Sequence, residues 1–185
     1  MNIVKTFLKA PWTDDEIRIL LFRHGHREKT WGHEADNGLS ERGRAQVAEW
    51  SRMMQEIERS PEDAVGRIRV FSSPKSRCQE TLSPWSETWA KHVEVDQRLD
   101  EQGVMSDAVF VGQVRDFLST LASCQLGNMV VLCSHGDWIP LFVEMATGQR
   151  VNLGTAGCVL IQLGRSTAES TRVFPGEVLD LEANV

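Results

Sequence analysis

Three short apolar runs that each stop abruptly at a polar cluster predict an α/β fold. The runs are residues 17–22, 66–71 and 129–133, and the clusters open at Arg23-His24, Ser72-Ser73 and Ser134-His135. About six consecutive residues rich in β-branched and bulky apolar side chains read as a strand buried on both faces, as a central parallel strand is. The stretches between the runs carry apolar residues at helical spacing, and strands alternating with helices give a layered architecture. Ligands of such sheets bind outside the carboxyl ends of the strands, so the polar clusters stand where chemistry is expected.

Taken in order, residues 1–16 form a lead-in, with Pro11 and the Thr13-Asp14-Asp15-Glu16 cluster marking a turn before the first strand. Gly25, lacking Cβ, is expected to let the backbone turn sharply and a ligand approach the neighbouring imidazole. Residues 28–38 are polar and rich in small residues. Ser40 then serves as the N-cap of a helix whose stripe of Val47, Trp50, Met54 and Ile57 faces the core. After the second strand, Ser72-Ser73-Pro74 begins a helix that runs toward Trp89, with the proline in its first turn. Residues 93–95 predict a short strand, 98–104 a loop, 110–121 a helix and 140–147 another. Residues 158–163 and 171–174 predict two final strands that add an antiparallel edge.

A chain of 185 residues is long enough to bury its own core, and one domain over 1–185 is expected. With 41% hydrophobic and 25% charged residues the composition is that of a soluble globular protein. A net charge of −6 argues against nucleic acid as a partner, so any anion site must be built from a few local arginines. Cys78, Cys124, Cys133 and Cys158 show neither close pairing nor metal-ligand spacing, which suits reduced thiols in the cytoplasm. The first twelve residues are too interrupted for a signal peptide or a spanning helix, and no membrane association is expected.

The sequence resembles the histidine phosphatase superfamily, also called the phosphoglycerate mutase-like family, and within it the small phosphatases. The resemblance rests on LFRHG at 21–25, LSERGRAQ at 39–46, FSSPKSRCQET at 71–81, RLDEQ at 98–102 and VVLCSHGD at 130–137. It implies a three-layer α/β/α sandwich around a mostly parallel central sheet, with neither metal nor cofactor. The substrate implied is a phosphorylated small molecule or a phosphoprotein, and nothing in the sequence sets the oligomeric state.

Hydrolysis of a phosphomonoester needs a nucleophile, fixed positive charge around the phosphoryl oxygens and an acid for the leaving oxygen. The stabilisation required is on the order of 20 kcal/mol or more, beyond what dispersed surface charge supplies. The resemblance implies that His24 becomes a phosphohistidine while Arg23, Arg77 and His135 bind the phosphoryl group. Arginine suits that task because its planar fork matches phosphate oxygens and stays charged at any working pH. Neighbouring guanidinium charge is expected to keep His24 neutral in the empty site. Arg27 completes an Arg-His-Gly-x-Arg pattern found in the acid phosphatase branch, but Lys29 replaces the proline usual there, so Arg27 is either a phosphate ligand or a solvated arginine. For the acid, Glu101 matches the mutase-like branch and Asp137 the acid phosphatase branch; Glu101 has the closer local pattern.

His24 and His26 have the spacing of a metal pair, but no third ligand follows nearby, and His33 and His92 read as structural. Trp50 reads as core. Gln79, Thr81 and Ser73 are expected beside the site. Mutase relatives carry a longer segment before the second histidine than the 33 residues (102–134) found here, together with an asparagine soon after Arg-His-Gly that residues 26–30 lack. A phosphatase is therefore expected, with three alternatives: a protein phosphohistidine phosphatase, a phosphoglycerate-type mutase, or a catalytically silent binding module.

Overall fold

A computed structural model describes residues 16–30, 35–55, 68–89, 91–123, 129–164 and 178–179. Six strands form one sheet: β1 (Glu16–Arg23), β2 (Ile68–Ser72), β3 (Val93–Val95), β4 (Met129–Ser134), β5 (Cys158–Gly164) and β6 (Val178–Leu179). Their order is β3-β2-β4-β1-β5-β6. The β3-β2-β4-β1 half is parallel, whereas β5 runs antiparallel to both β1 and β6. The helices are α1 (Glu41–Gln55), α2 (Ser76–Trp89), α3 (Asp107–Ser123) and α4 (Trp138–Thr147), and a short 3₁₀ turn spans Gln97–Leu99.

Alternate residues of β1 enter different layers, as the two-residue period of a strand requires. Ile17, Ile19 and Leu21 join Phe110, Val114 and Phe117 of α3 and Trp138 and Phe142 of α4. Leu20 and Phe22 join Trp50 of α1 and Cys78, Leu82 and Trp85 of α2 on the opposite face. Helices therefore cover both faces, giving the three-layer sandwich. Trp50 is core, its indole N–H donating to the Ala156 carbonyl at 2.9 Å and its ring lying edge-on to Phe22 at 4.8 Å.

Several expectations move. Glu16 pairs with Gly164 inside β1, so it belongs to the strand and not to the lead-in, whose other residues lie outside the described ones. β1 is central, yet parallel only to β4, because its other neighbour is the antiparallel β5. The residues expected as a last strand, 171–174, lie outside the described residues, as do Ile57, the Met54 side chain, His33 and Cys124. The strand described against β5 is Val178–Leu179. Ser40 caps α1 as expected, its hydroxyl accepting the Gly43 N–H at 3.1 Å. Pro74 precedes α2 and does not sit in its first turn; its carbonyl instead accepts the Gln79 side chain at 2.8 Å. Pro84 lies inside α2, and the Glu80 carbonyl that a residue-84 amide would have used accepts the Ser83 hydroxyl at 3.1 Å. α3 and α4 each begin earlier than the apolar pattern suggests, at Asp107 and Trp138. Among the described residues no helix is long and apolar enough to cross a membrane.

Parallel register places the functional segments. Arg23 pairs with Ser134 and Ser72 with Cys133, so β1, β2 and β4 end at one edge of the sheet. Backbone hydrogen bonds continue one residue further, from His24 N to Ser134 O and from Ser73 N to Cys133 O, each at 3.1 Å. Gly25 contributes through packing: an added Cβ would lie 3.1 Å from Leu39 Cδ2 and 3.2 Å from the Gly43 carbonyl oxygen. The missing Cβ lets the loop after β1 press against the start of α1.

Gly43 is the complementary position, because a Cβ there would fall on the His26 carbonyl oxygen. Alanine is intrinsically the better helix former by about 1 kcal/mol, but the clash is with backbone. We expect Gly43→Ala to destabilise the fold by about 1–3 kcal/mol net, read as a lower urea midpoint. An unchanged midpoint would mean that α1 shifts away freely.

Candidate active site

The polar side chains at this edge are held by hydrogen bonds and ion pairs, some local and some reaching to another element. Arg23 ends β1, and its Nη1 donates to the Leu153 carbonyl at 2.6 Å. Its guanidinium lies against Gly136, where an added Cβ would sit 2.9 Å from Cζ. His24 is 7% exposed. Its Nδ1 stands 2.8 Å from the Gly25 carbonyl oxygen, a group that only accepts, so Nδ1 carries the proton and Nε2 keeps its lone pair. Gly25 N–H in turn donates to Thr81 Oγ1 at 3.0 Å, which ties the loop to α2.

His135 follows β4, and its ring centroid is 5.3 Å from that of His24. Arg77, from the first turn of α2, is 1% exposed and pairs through Nη2 with Glu101 Oε1 at 2.8 Å and with His135 Nδ1 at 3.3 Å. Its Nε and Nη1, and Nε of Arg23, are buried with no hydrogen-bond partner among the described residues. Buried donors left unmade cost about 1–3 kcal/mol each. Such donors suit a site that completes its hydrogen bonds with a bound anion.

Arg23, His24, Arg77, Glu101 and His135 all line one cavity of about 650 Å³. Arg27 lines it too, alongside Lys29 and His26. Asp137 also borders it, but its carboxylate is occupied: Oδ1 caps α4 by accepting the Trp138 N–H at 2.9 Å, and Oδ2 accepts the Gln102 N–H at 2.8 Å. It thereby clasps the segment carrying Glu101 to the start of α4. His26 Nδ1 is bonded to Ser40 Oγ at 2.8 Å, and its amide donates to Gln46 Oε1 at 2.9 Å. His26 thus belongs to the joint between the loop and α1, and His92 is exposed.

Sequence reasoning did not find Asn152 and Thr155 on the cavity wall, Gly136 as a seat for Arg23, or Asp100 behind His135. Asn152 and Thr155 lie in an irregular segment with no periodicity to mark them. Asp100 was visible only as a neighbour of Glu101.

The His24 pKa is lowered to about 4, first by burial, opposed by the hydrogen bond to Gly25, and lowered further by Arg77 and Arg23. The expected neutral imidazole is therefore present, although burial outweighs the guanidinium charge that was expected to cause it. His135 is lowered to about 2, again first by burial and then by His24, Arg77, Lys75 and Arg23. Burial raises the Cys133 and Cys158 thiols well above their ordinary value.

A family model described as histidine phosphatase superfamily (branch 1) matches residues 19–110. No curated protein sequence matches the chain. Among solved structures, the mycobacterial glucosyl-3-phosphoglycerate phosphatase is similar at 18% identity and a TM-score of 0.65, over 89% of this chain and 98% of its own. A protein histidine phosphatase, SixA, in complex with tungstate is similar at 19% identity and a TM-score of 0.63, over 88% and 94%. A mutant phosphoserine phosphatase from Entamoeba histolytica in complex with phosphoserine is similar at 16% identity and a TM-score of 0.63, over 86% and 96%. At these identities the likeness is one of fold.

Burial of neutral imidazoles couples stability to pH. The folded-state pKa of His24 lies below its unfolded value near 6.5, so the unfolded chain binds the extra proton as the solution is acidified. Nothing is lost above pH ~6.5, and stability falls from there toward about pH 4. We expect His24 alone to remove about 2 kcal/mol between pH ~7 and ~5. Chemical denaturation at both pH values should find a smaller acid loss in His24→Gln than in wild type. Equal losses would mean that His24 is not held neutral by the fold.

Proposed function

Because the chain belongs to the histidine phosphatase superfamily, we propose that it hydrolyses a phosphomonoester through a covalent phosphohistidine on His24, with no metal ion in the step. The observation that carries this reading is the tautomer of His24. With Nδ1–H held by the Gly25 carbonyl, Nε2 offers its lone pair beside the buried guanidinium of Arg77 and the ring of His135.

In the first step His24 Nε2 attacks phosphorus, the P–N bond forms, and the P–O bond to the leaving group breaks. Arg23 and Arg77 hold the phosphoryl oxygens, and their unpartnered buried donors become satisfied as charge spreads over those oxygens. Glu101 gives its proton to the leaving oxygen. The phosphate group competes with Glu101 for Arg77 Nη2, which frees the carboxyl to face the leaving oxygen. In the second step Glu101 takes a proton from water as the water oxygen attacks phosphorus, the P–N bond breaks, and inorganic phosphate leaves. Asp137 is the less suitable acid because both of its oxygens already accept backbone N–H groups. Arg27 and Lys29 stand on the cavity wall and are assigned to the outer part of the substrate. The cavity of about 650 Å³ falls in the size range of small-ligand sites, which supports a phosphorylated small molecule as substrate.

The test is hydrolysis of p-nitrophenyl phosphate with acid-quench trapping of the phosphoenzyme. Wild type should turn over and trap an acid-labile phosphate, while His24→Ala should lose both, with at least ~10³-fold less turnover. Undiminished activity in His24→Ala would remove that residue from the chemistry. Isomer exchange on 3-phosphoglycerate without phosphate release would make the chain a mutase.

Separating the two acid candidates needs a different comparison. Glu101→Gln should lower kcat about 10²–10⁴-fold, and it also strips buried Arg77 of its charge partner, so its melting temperature should fall and recover on adding phosphate. Asp137→Asn keeps Oδ1 for the cap and should retain most of the rate. The reverse ranking would assign the acid to Asp137.

A further inference from the structure

The two nitrogens of His135 face different surroundings. Nδ1 is next to Arg77 Nη2 (3.3 Å) and Glu101 Oε2 (3.8 Å), both on cavity-lining residues. Nε2 points away from the cavity and meets Ser73 Oγ at 2.7 Å, with Asp100 Oδ1 at 3.5 Å and Cys78 Sγ at 3.6 Å. Ser73 Oγ is itself 3.3 Å from Asp100 Oδ1 and accepts the Lys75 N–H at 3.3 Å. Asp100 in turn accepts the Glu101 N–H at 2.9 Å and lies 3.6 Å from Lys75 Nζ.

A hydroxyl has one hydrogen and two lone pairs. If Ser73 gives its hydrogen to Asp100 and accepts from Lys75 N–H, its second lone pair is free for a proton on Nε2. Every group is then satisfied. If Ser73 instead donates to Nε2, Asp100 loses that partner. The network therefore favours a proton on Nε2, and in the empty site Nδ1 is left as an acceptor for Arg77. A phosphate group has only acceptors facing His135, so Nδ1 can bond to it only by gaining a second proton.

We propose that Ser73 and Asp100 form a relay behind His135 that lets it carry both protons, and so donate from Nδ1, when a phosphate group occupies the cavity. Both are positioning residues, since neither lines the cavity. The idea rests on the phosphatase reading for the identity of the anion. The second proton arrives with the substrate as its phosphate monoanion: the O–H breaks, Nδ1–H forms, and the dianion stays against the imidazolium. Ser73 passes the field of Asp100 to the ring without any bond to either breaking.

The charged and titratable groups facing His135 are Arg23 and His24 at the end of β1, Lys75 and Arg77 at the start of α2, and Glu101 and Asp100 on the segment before α3, with the Cys78 thiol beside Nε2. The cations and burial oppose an imidazolium. Asp100, Glu101 and the bound dianion oppose that in turn, and of these Asp100 is the one joined to Nε2 through a hydroxyl.

The experiment is nitrogen-15 NMR of the His135 ring with inorganic phosphate as the probe, over a pH series spanning neutrality. In the wild-type complex both ring nitrogens should be protonated. In Asp100→Asn, which keeps Oδ1 for the Glu101 amide, the ring should titrate about one unit lower, with phosphate binding weakened about tenfold on the alkaline side. Ser73→Ala should behave alike and replaces the first variant if that one fails to fold. A neutral ring in the wild-type complex, or an unmoved midpoint in a folded variant, would overturn the relay. Because the readout is binding of phosphate, an absence of turnover in wild type would count against the phosphatase reading alone.

Discussion

Everything at this site depends on the parallel pairing of β4 with both β1 and β2. That register stops three strands at the same level and carries backbone hydrogen bonds one residue beyond them, to His24 and Ser73. Main-chain bonds therefore fix the backbone from which the imidazole of His24 and the hydroxyl of Ser73 project. The apolar residues that form the strands face alternately into two cores, so a slip by one residue would exchange the layers. The geometry of the candidate site is in this sense a by-product of how the sheet buries its hydrophobic side chains.

The second determinant is burial of charge with few partners. Arg77 is almost wholly enclosed, yet two of its nitrogens lack acceptors among the described residues. Its pair with Glu101 lowers the cost of keeping it there, but a buried ion pair contributes little net stability once desolvation is counted. The site keeps an arrangement that folding alone would not select, and the same burial holds both histidines neutral. The result is a pair of guanidinium groups beside two uncharged imidazoles on the wall of one cavity.

Much of this was legible in the sequence because apolar runs and their abrupt ends report burial directly. The positions of Arg23, His24, Arg77, Glu101 and His135 on one cavity follow from strand ends and motif order. What stayed hidden depends on contacts between distant segments. Gly136 looks like a turn residue, yet its missing Cβ is occupied by a guanidinium from another strand. Gly25 reads as a turn beside the ligand, and its packing against Leu39 and Gly43 leaves no mark in the sequence. Asp137 reads as the alternative acid, and its capping of α4 leaves no mark in the sequence. The antiparallel side of β1 was equally out of reach, since an apolar run buried on both faces looks the same whichever way its neighbours run.

The strand order has a consequence for synthesis. β4 lies between β1 and β2 in the sheet but follows both in the chain, so the two earlier strands leave the ribosome without the one that joins them. Until residue 134 emerges, the edges of β1 and β2 that pair with β4 stay open to other chains. A nascent chain of this topology is an aggregation hazard for most of its translation, and shielding by a chaperone matters most in the interval between the second strand and the fourth.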